Sequence, residues 1–274
     1  ADVAQRRHEE NAKGKGRNLK IGSDHRLADS IERKIKDEKY APAAVIGDLM
    51  QHGWPSDVRI CLYNYIDRGL FPGINHEELP FKKKRTKPTT HRRRKVAWNN
   101  RGGKSIEERP EEVNQRQAFG HWEIDLVIGR KGTKLVLLTL VERKTRKSLY
   151  VLVKNKSQKE VLQALHRMKR RSKGDFTEVF KSITADNGSE FLDGAGLKKA
   201  TGCEEVYYAH PFSSWERGSN ENGNRILRRF LPKGTDFSQL KAETLQRIED
   251  WVNNYPRKIF GYKTANDMYA ALAS

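Results

Sequence analysis

Cysteine is nearly absent: the 274 residues include only Cys61 and Cys203, far apart and in unrelated contexts. Such a pair supports neither a disulfide framework nor a cysteine-based zinc site. Apolar residues are sparse as well, 36% of the chain, and no apolar run approaches the roughly 20 residues that a membrane-crossing helix needs. The opening stretch ADVAQRRHEENAKGKGRN lacks the apolar core and small-residue cleavage site of a secretory signal, so a cytoplasmic location is expected. Acidic charge is also in deficit. Lys and Arg total 54 against 35 Asp and Glu, a formal net charge of +19. That excess favours a polyanionic partner, nucleic acid ahead of an anionic membrane surface.

With 32% charged residues, part of the chain is expected to lie outside any core. Residues 1–22 are polar, charged and without a period that would bury a face, and read as a flexible lead-in. The chain opens at Ala1 inside this segment, which leaves room for an upstream domain.

Residues 23–80 change character. Ser23 or Asp24 can cap a helix whose Leu27, Ile31 and Ile35 form one stripe. A second helix is predicted after Pro42, carrying Val45, Ile46, Leu49 and Met50 and stopping at His52-Gly53. A third, SDVRICLYNYIDRG, turns Ile60, Leu62, Tyr65 and Ile66 inward and stops at Gly69. Three short helices with a tight turn suggest a helix-turn-helix. In that case Arg59, Asn64 and Arg68 are the candidate major-groove contacts; the competing reading is an ordinary solvated helix face.

Residues 81–114 are expected to form a basic linker arm. Its core, FKKKRTKPTTHRRRKVAWNNRGGK, holds eleven Lys and Arg and no acidic residue. Self-repulsion extends such a segment, and Arg92, Arg93 and Arg94 are candidate DNA contacts along a backbone or in a minor groove.

Residues 115–274 alternate differently. HWEIDLVIG, KLVLLTLVE and SLYVLVK read as strands separated by the turns RKGT and RKTRK, an antiparallel meander. A helix over 157–171 and short strands at 181–185 and 206–209 follow. The predicted class is α/β: a mixed sheet flanked by helices, of the ribonuclease H type, although this order also suits other α+β domains.

Alternation in the first strand puts Trp122, Ile124, Leu126 and Ile128 on one face and His121, Glu123 and Asp125 on the other. Asp186 ends a later strand at the turn Asn187-Gly188, and Glu221 falls in the first turn of a helix predicted over 220–231. Each alone has a bland reading, a solvated strand face or a favourable partner for the helix dipole. Together they are three carboxylates in a basic protein, which repel unless hard cations neutralise them. Mg²⁺ or Mn²⁺ suits such oxygen ligands, and two ions about 3.5–4 Å apart clamp an in-line phosphoryl displacement.

LYNYIDRG (62–69), IEERPEEVNQRQAFGHWEIDLVIG (106–129), TADNGSEF (184–191), HPFSSWERGSNENGNRILRRFLPKGTDF (210–237) and NNYPRKIFGYKTANDMY (253–269) occur in this order. The chain, from about Ala43 to its end, resembles a DDE transposase of the bacterial insertion sequence thirty family. The resemblance implies that Asp125, Asp186 and Glu221 are the catalytic, metal-binding triad, with two Mg²⁺ or Mn²⁺ ions. Thirty-four residues separate Asp186 from Glu221, in keeping with that class. Glu216 and Glu190 compete for the third place, and His121 and Glu123 belong to the motif as supporting residues or as purely structural ones. Arg217, Arg225 and Arg228, with Arg229 and Lys233, are candidate phosphate contacts, and Trp215 is either a base-stacking or a core aromatic.

The resemblance further implies binding of terminal inverted repeats and target DNA, strand cleavage and transfer, a homo-oligomer on DNA, and a bacterial, nucleoid-associated protein. Two features depart from the family: a second, upstream helix-turn-helix is missing, and DVRIC replaces a Ser/Thr-rich approach to LYNYID. Two other functions stay open, a catalytically silent DNA-binding regulator and a structure-specific nuclease on the same fold.

Overall fold

Asp24 begins the first helix as its side chain accepts the Leu27 amide at 3.0 Å. In the computed structural model this helix, α1, runs His25–Lys36 and buries Leu27, Ile31 and Ile35. Each such side chain contributes about 1.5–3 kcal/mol on leaving water. The described residues are 3–7, 21, 24–53, 62–74, 79, 102–171, 176–211 and 213–273. They fall in two units, 1–85 and 86–274.

In the first unit, residues 3–7 form an exposed helical turn within the stretch expected to be a flexible lead-in. Helix α2 (Pro42–Gln51) starts with proline at its first position, where a missing N–H costs nothing, and buries Val45, Ile46 and Leu49. Met50, on the same helix, is exposed. Lys34 of α1 meets Asp48 of α2 at 2.7 Å. Helix α3 (Leu62–Asp67) buries Leu62, Tyr65 and Ile66. The first half of the predicted third helix, with Arg59, lies outside the described residues, as do Arg92, Arg93 and Arg94 of the arm.

The second unit is built on six strands: β1 (Lys104–Ser105), β2 (His121–Ile128), β3 (Val136–Glu142), β4 (Ser148–Val153), β5 (Ser182–Ala185) and β6 (Glu205–Tyr208). Their order is β1-β6-β5-β2-β3-β4. The meander β2-β3-β4 is antiparallel, as the short turns between them require, whereas β2-β5, β5-β6 and β1-β6 pair parallel. The expected linker arm ends earlier than residue 114. Lys104–Ser105 joins the sheet, and Ile106 and Val113, the latter in α4 (Glu111–Asn114), are buried. Apolar residues recur there, so the segment packs instead of extending.

One face of the sheet carries Trp122, Ile124, Leu138, Leu140, Ile183 and Val206. It is covered by α5 (Gln158–Arg171), α6 (Phe176–Val179) and α7 (Gly194–Thr201) through Val161, Leu165, Phe176, Leu197 and Ala200. Trp122 stacks on Phe180 at 4.5 Å and donates its indole N–H to the Val179 carbonyl at 2.8 Å. Ile128, predicted on this face, is exposed beyond the last layer.

Helix α8 (Gly218–Leu227) packs on β3 and β2 from the opposite side. A methyl group on Gly223 would stand 3.0 Å from Val141, so the glycine lets helix and sheet approach closely. This helix ends at Leu227, four residues before the predicted Leu231, and Arg228 at its C-cap donates to the Leu231 and Pro232 carbonyls across the turn that follows. The edge strand β4 is closed by α9 (Ala242–Asn253). Asn253 takes the Ser148 N–H and donates to the Ser148 carbonyl, both at 2.8 Å, and Glu249 accepts the Tyr150 amide at 2.7 Å. The other edge, β1, is only two residues long, and both devices deny a neighbour a free strand edge. Helix α10 (Ala265–Ala273) follows. Among the described residues, no helix is long and apolar enough to cross a membrane.

Candidate active site

The parallel register pairs His121 with Ser182, Trp122 with Ile183 and Glu123 with Thr184. Two residues further along the same register stand Asp125 and Asp186, on strands about 4.8 Å apart. Asp186 is fixed by its own turn: Oδ1 accepts the Gly188 amide at 3.0 Å, and Asn187 donates to the Ala209 carbonyl at 2.6 Å. Asp125 accepts the Leu126 amide at 3.0 Å and the Asn224 side-chain amide at 3.1 Å.

One cation serves both carboxylates. Arg217 Nη1 lies 3.3 Å from Asp125 Oδ1, and Nη2 donates to Asp186 Oδ2 at 3.2 Å. Nη1 also donates to the Ile124 carbonyl at 3.3 Å, which locks the fork against β2. Burial pushes the Asp125 carboxyl above its ordinary value; Arg217 pulls it down, and Asp186 pushes it further up. Two oxygen donor groups sharing a single positive charge are a set that suits a hard divalent ion.

Glu221 stands differently. It is exposed in the first turn of α8, four residues after Arg217 and three before Asn224, both of which touch Asp125. The helix therefore presents it at the edge of the pair without bringing it in. Among the described residues, no three of His, Cys, Asp and Glu stand close enough together to hold a metal ion. A third carboxylate on the pair would add repulsion that one guanidinium cannot balance.

Its two rivals are engaged elsewhere. Glu216 accepts the His210 amide at 2.7 Å and pairs with the His210 ring at 2.8 Å, while buried Glu190 pairs with Lys156 at 3.2 Å. The His210 ring lies 3.3 Å from Glu107 as well, and its pKa is raised, first by the hydrogen bond to Glu216.

The supporting residues of β2, His121 and Glu123, bond to Ser182, Arg143 and Asn220 and build the wall behind Asp125. Glu123 is fully buried and forms an ion pair with Arg143, which is 2% exposed. Its second oxygen accepts the Asn220 amide at 2.7 Å, at the start of α8. Asn220, also fully buried, donates to the Glu123 and Thr139 carbonyls at 3.1 and 3.3 Å and accepts from the Thr139 hydroxyl at 3.1 Å. Glu123 thus seats the helix that carries Glu221 and Asn224. His121 hydrogen-bonds Ser182 at 2.7 Å; burial and nearby cations hold its pKa down to about 4, so the ring is neutral.

The candidate DNA contacts divide. Asn64 on α3 and Arg68, in the turn just past its end, are exposed. Arg217, expected on a phosphate, is 12% exposed and lies on the two aspartates. Arg225 is exposed and donates to Asn222 at 2.6 Å. Arg228 spends its guanidinium on the carbonyls of Leu231, Pro232 and Ile128 at 3.1–3.2 Å, closing the turn after α8. Arg229 lies over the Tyr255 ring at 4.8 Å. Trp215 is 63% exposed. Sequence reasoning missed Asn220 and Asn224, whose visible signal was two amides four residues apart on one helix face, flanking Glu221.

Residues 115–206 match the family described as Integrase core domain. The probable transposase for insertion-like sequence element IS1161 of Streptococcus salivarius is 43% identical over 210 residues, 76% of this chain and 57% of that one. The transposase for insertion sequence element IS4351 of Bacteroides fragilis is 37% identical, over 61% of this chain and 50% of that one. Transposase InsI for insertion sequence element IS30A of Escherichia coli is 34% identical, over 68% and 48%. The chain spans about half the length of these curated relatives. The catalytic core domain of BIV integrase superposes with a TM-score of 0.43 at 16% identity, over 56% of this chain and 95% of that one. With a mixed sheet beneath an aspartate pair and a match to the integrase core over 115–206, the chain is similar to transposases of the insertion sequence thirty kind across most of its own length.

Proposed function

We propose that this chain cuts and joins DNA: it nicks the ends of a mobile element and transfers the freed strands to a target. The observation that carries the reading is the meeting of Asp125 and Asp186 on Arg217, next to a helix that presents Glu221. Asp125 and Asp186 would hold two Mg²⁺ or Mn²⁺ ions, and Glu221 would complete their ligands from α8. Bound there, the ions supply Lewis acidity at phosphorus and balance the charge that builds on its oxygens.

The chain's own groups set the geometry. Asn224 and the Leu126 amide fix the Asp125 carboxylate, the Gly188 amide fixes Asp186, and the Glu123–Asn220 contact holds the helix at the site. In cleavage a water oxygen bonds to phosphorus as the P–O3′ bond breaks, leaving a 3′-hydroxyl and a 5′-phosphate. In joining, that hydroxyl attacks a second phosphodiester and displaces another 3′-hydroxyl. One ester bond forms for each one lost, so joining needs no nucleotide triphosphate.

The net charge of +19 supports a DNA partner. Residues 23–80 would read terminal inverted repeats as a helix-turn-helix through Arg59, Asn64 and Arg68. The basic stretch before Lys104 would follow the duplex as an arm through Arg92, Arg93 and Arg94, and the domain built on the sheet from Lys104 onward would be the catalytic one. Arg225 at the rim of α8 would meet a phosphate. Two ends must be handled together, so a homo-oligomer on DNA is the working assembly, in the cytoplasm of a bacterium.

The test is joining of labelled oligonucleotides that carry the element's own ends, with Mn²⁺ or Mg²⁺, comparing the unaltered chain with Asp186→Asn. Joined products from the unaltered chain alone are expected. Cleavage without joining would replace this reading with the nuclease; DNA binding with neither reaction would replace it with the regulator.

A further inference from the structure

A tryptophan on an anchored turn, its ring left in water, asks for an occupant. Trp215 lies in the 3-10 turn Ser214–Arg217, which enters α8, and 63% of its surface is exposed. The exposure does not come from a loose loop, because the two residues that follow it are both anchored. Glu216 is bound to the backbone and the ring of His210 at 2.7 and 2.8 Å, just past the end of β6. Arg217 is bound to Asp125, Asp186 and the Ile124 carbonyl. The turn is thus pinned to the sheet by consecutive side chains, and the indole stands at its open side.

Its place relative to the chemistry is equally defined. Trp215 is two residues from the guanidinium that spans the two carboxylates, along a turn that rises about 2 Å per residue. A phosphodiester brought to Asp125 and Asp186 would carry its flanking nucleotides past this ring. A paired base offers only its edge, whereas an unpaired base offers a face, and a flat rigid aromatic beside a cationic side chain is the platform that single-stranded nucleic acid uses.

We propose that Trp215 is a stacking site for an unpaired nucleobase next to the scissile phosphate. It would hold the DNA end frayed while the strand is cut or joined. The inference rests on the DNA reading above and assigns one part of its substrate site.

The probe is a forked duplex, paired along one arm, with 2-aminopurine at the first unpaired position, set against the same sequence fully paired. Both are titrated with the full chain in EDTA, so that binding is read without reaction. The unaltered chain is expected to bind the fork more tightly than the duplex and to quench the 2-aminopurine. Trp215→Ala should lower affinity for the fork by about 5- to 140-fold and abolish the quench, with duplex affinity unchanged. Trp215→Phe should keep the quench. A Trp215→Ala chain that binds and quenches the fork like the unaltered one overturns the stacking site while leaving the DNA reading intact. If the unaltered chain binds neither fork nor duplex, the DNA reading falls and this site with it. Since the side chain is exposed, the melting temperature of Trp215→Ala should match that of the unaltered chain, which separates lost stacking from lost fold.

Discussion

Asp125 and Asp186 lie two residues past the last paired positions of neighbouring parallel strands and share a single counter-ion, the guanidinium of Arg217, at 3.3 and 3.2 Å. Arg217 thereby stands where a divalent ion would neutralise the same oxygens. Arginine and metal are then alternatives at one pair of carboxylates.

Arg217→Gln should therefore cost stability in EDTA, about 1 kcal/mol given that the aspartates are partly exposed. Saturating Mg²⁺ or Mn²⁺ should restore most of it. Melting curves with and without the ion check this. An equal loss in both conditions would make Arg217 an ordinary structural residue.

Glu123→Gln should destabilise the second unit by about 3–5 kcal/mol, because it leaves the Arg143 charge buried and unpaired. Chemical denaturation reads the loss directly. The double substitution Glu123→Leu, Arg143→Met should lose less than Glu123→Gln alone, and a simple sum of the two single effects would show that the residues do not act as a pair.

Two histidines set opposite pH limits on stability. His121 titrates near 4 in the fold against an ordinary 6.5, so the unfolded chain binds the extra proton between these values. Its contribution is complete above about pH 6.5 and disappears as pH falls toward 4. His210 is shifted upward, so its contribution is complete below about pH 6.5 and fades as pH rises through its folded value. Melting temperature against pH should lose its acid slope in part in His121→Asn and its slope above about pH 6.5 in His210→Asn.

Asn253→Ala should release the edge of β4. It removes two buried hydrogen bonds to Ser148, worth about 2 kcal/mol together. Hydrogen exchange should accelerate at the Ser148 amide and leave the β2–β5 amides protected; uniform acceleration would mean that the sheet opens as one unit.

Much of this protein was legible one segment at a time. Alternation in HWEIDLVI separates the core residues Trp122 and Ile124 from Glu123 and Asp125, and the structure keeps that division. The turns RKGT and RKTRK give the antiparallel meander because short connections allow no other pairing. Chain-end details were less legible. Met50 and Ile128 fit an apolar period yet emerge into water, since periodicity marks a face and not where the covering layer stops. Lys104–Ser105 looked like the tail of a basic arm, and only the open edge of β6 makes it a strand.

The sequence by itself determined which groups are available: three carboxylates in a chain of charge +19, one within a strand, one just past a strand's end and one in the first turn of a helix. It also carries the resemblance to insertion sequence transposases, through motifs long enough to be specific. Only the tertiary structure decided which groups meet. Asp125 and Asp186 are sixty-one residues apart, and their adjacency follows from the parallel register of β2 and β5. That register is set by covering the Trp122 face with α5 and α7, a non-local event that no local pattern encodes. Arg217 reads in sequence as one more cation for a phosphate. Folding places it across the aspartates, because carboxylates forced together by a sheet take the nearest positive charge.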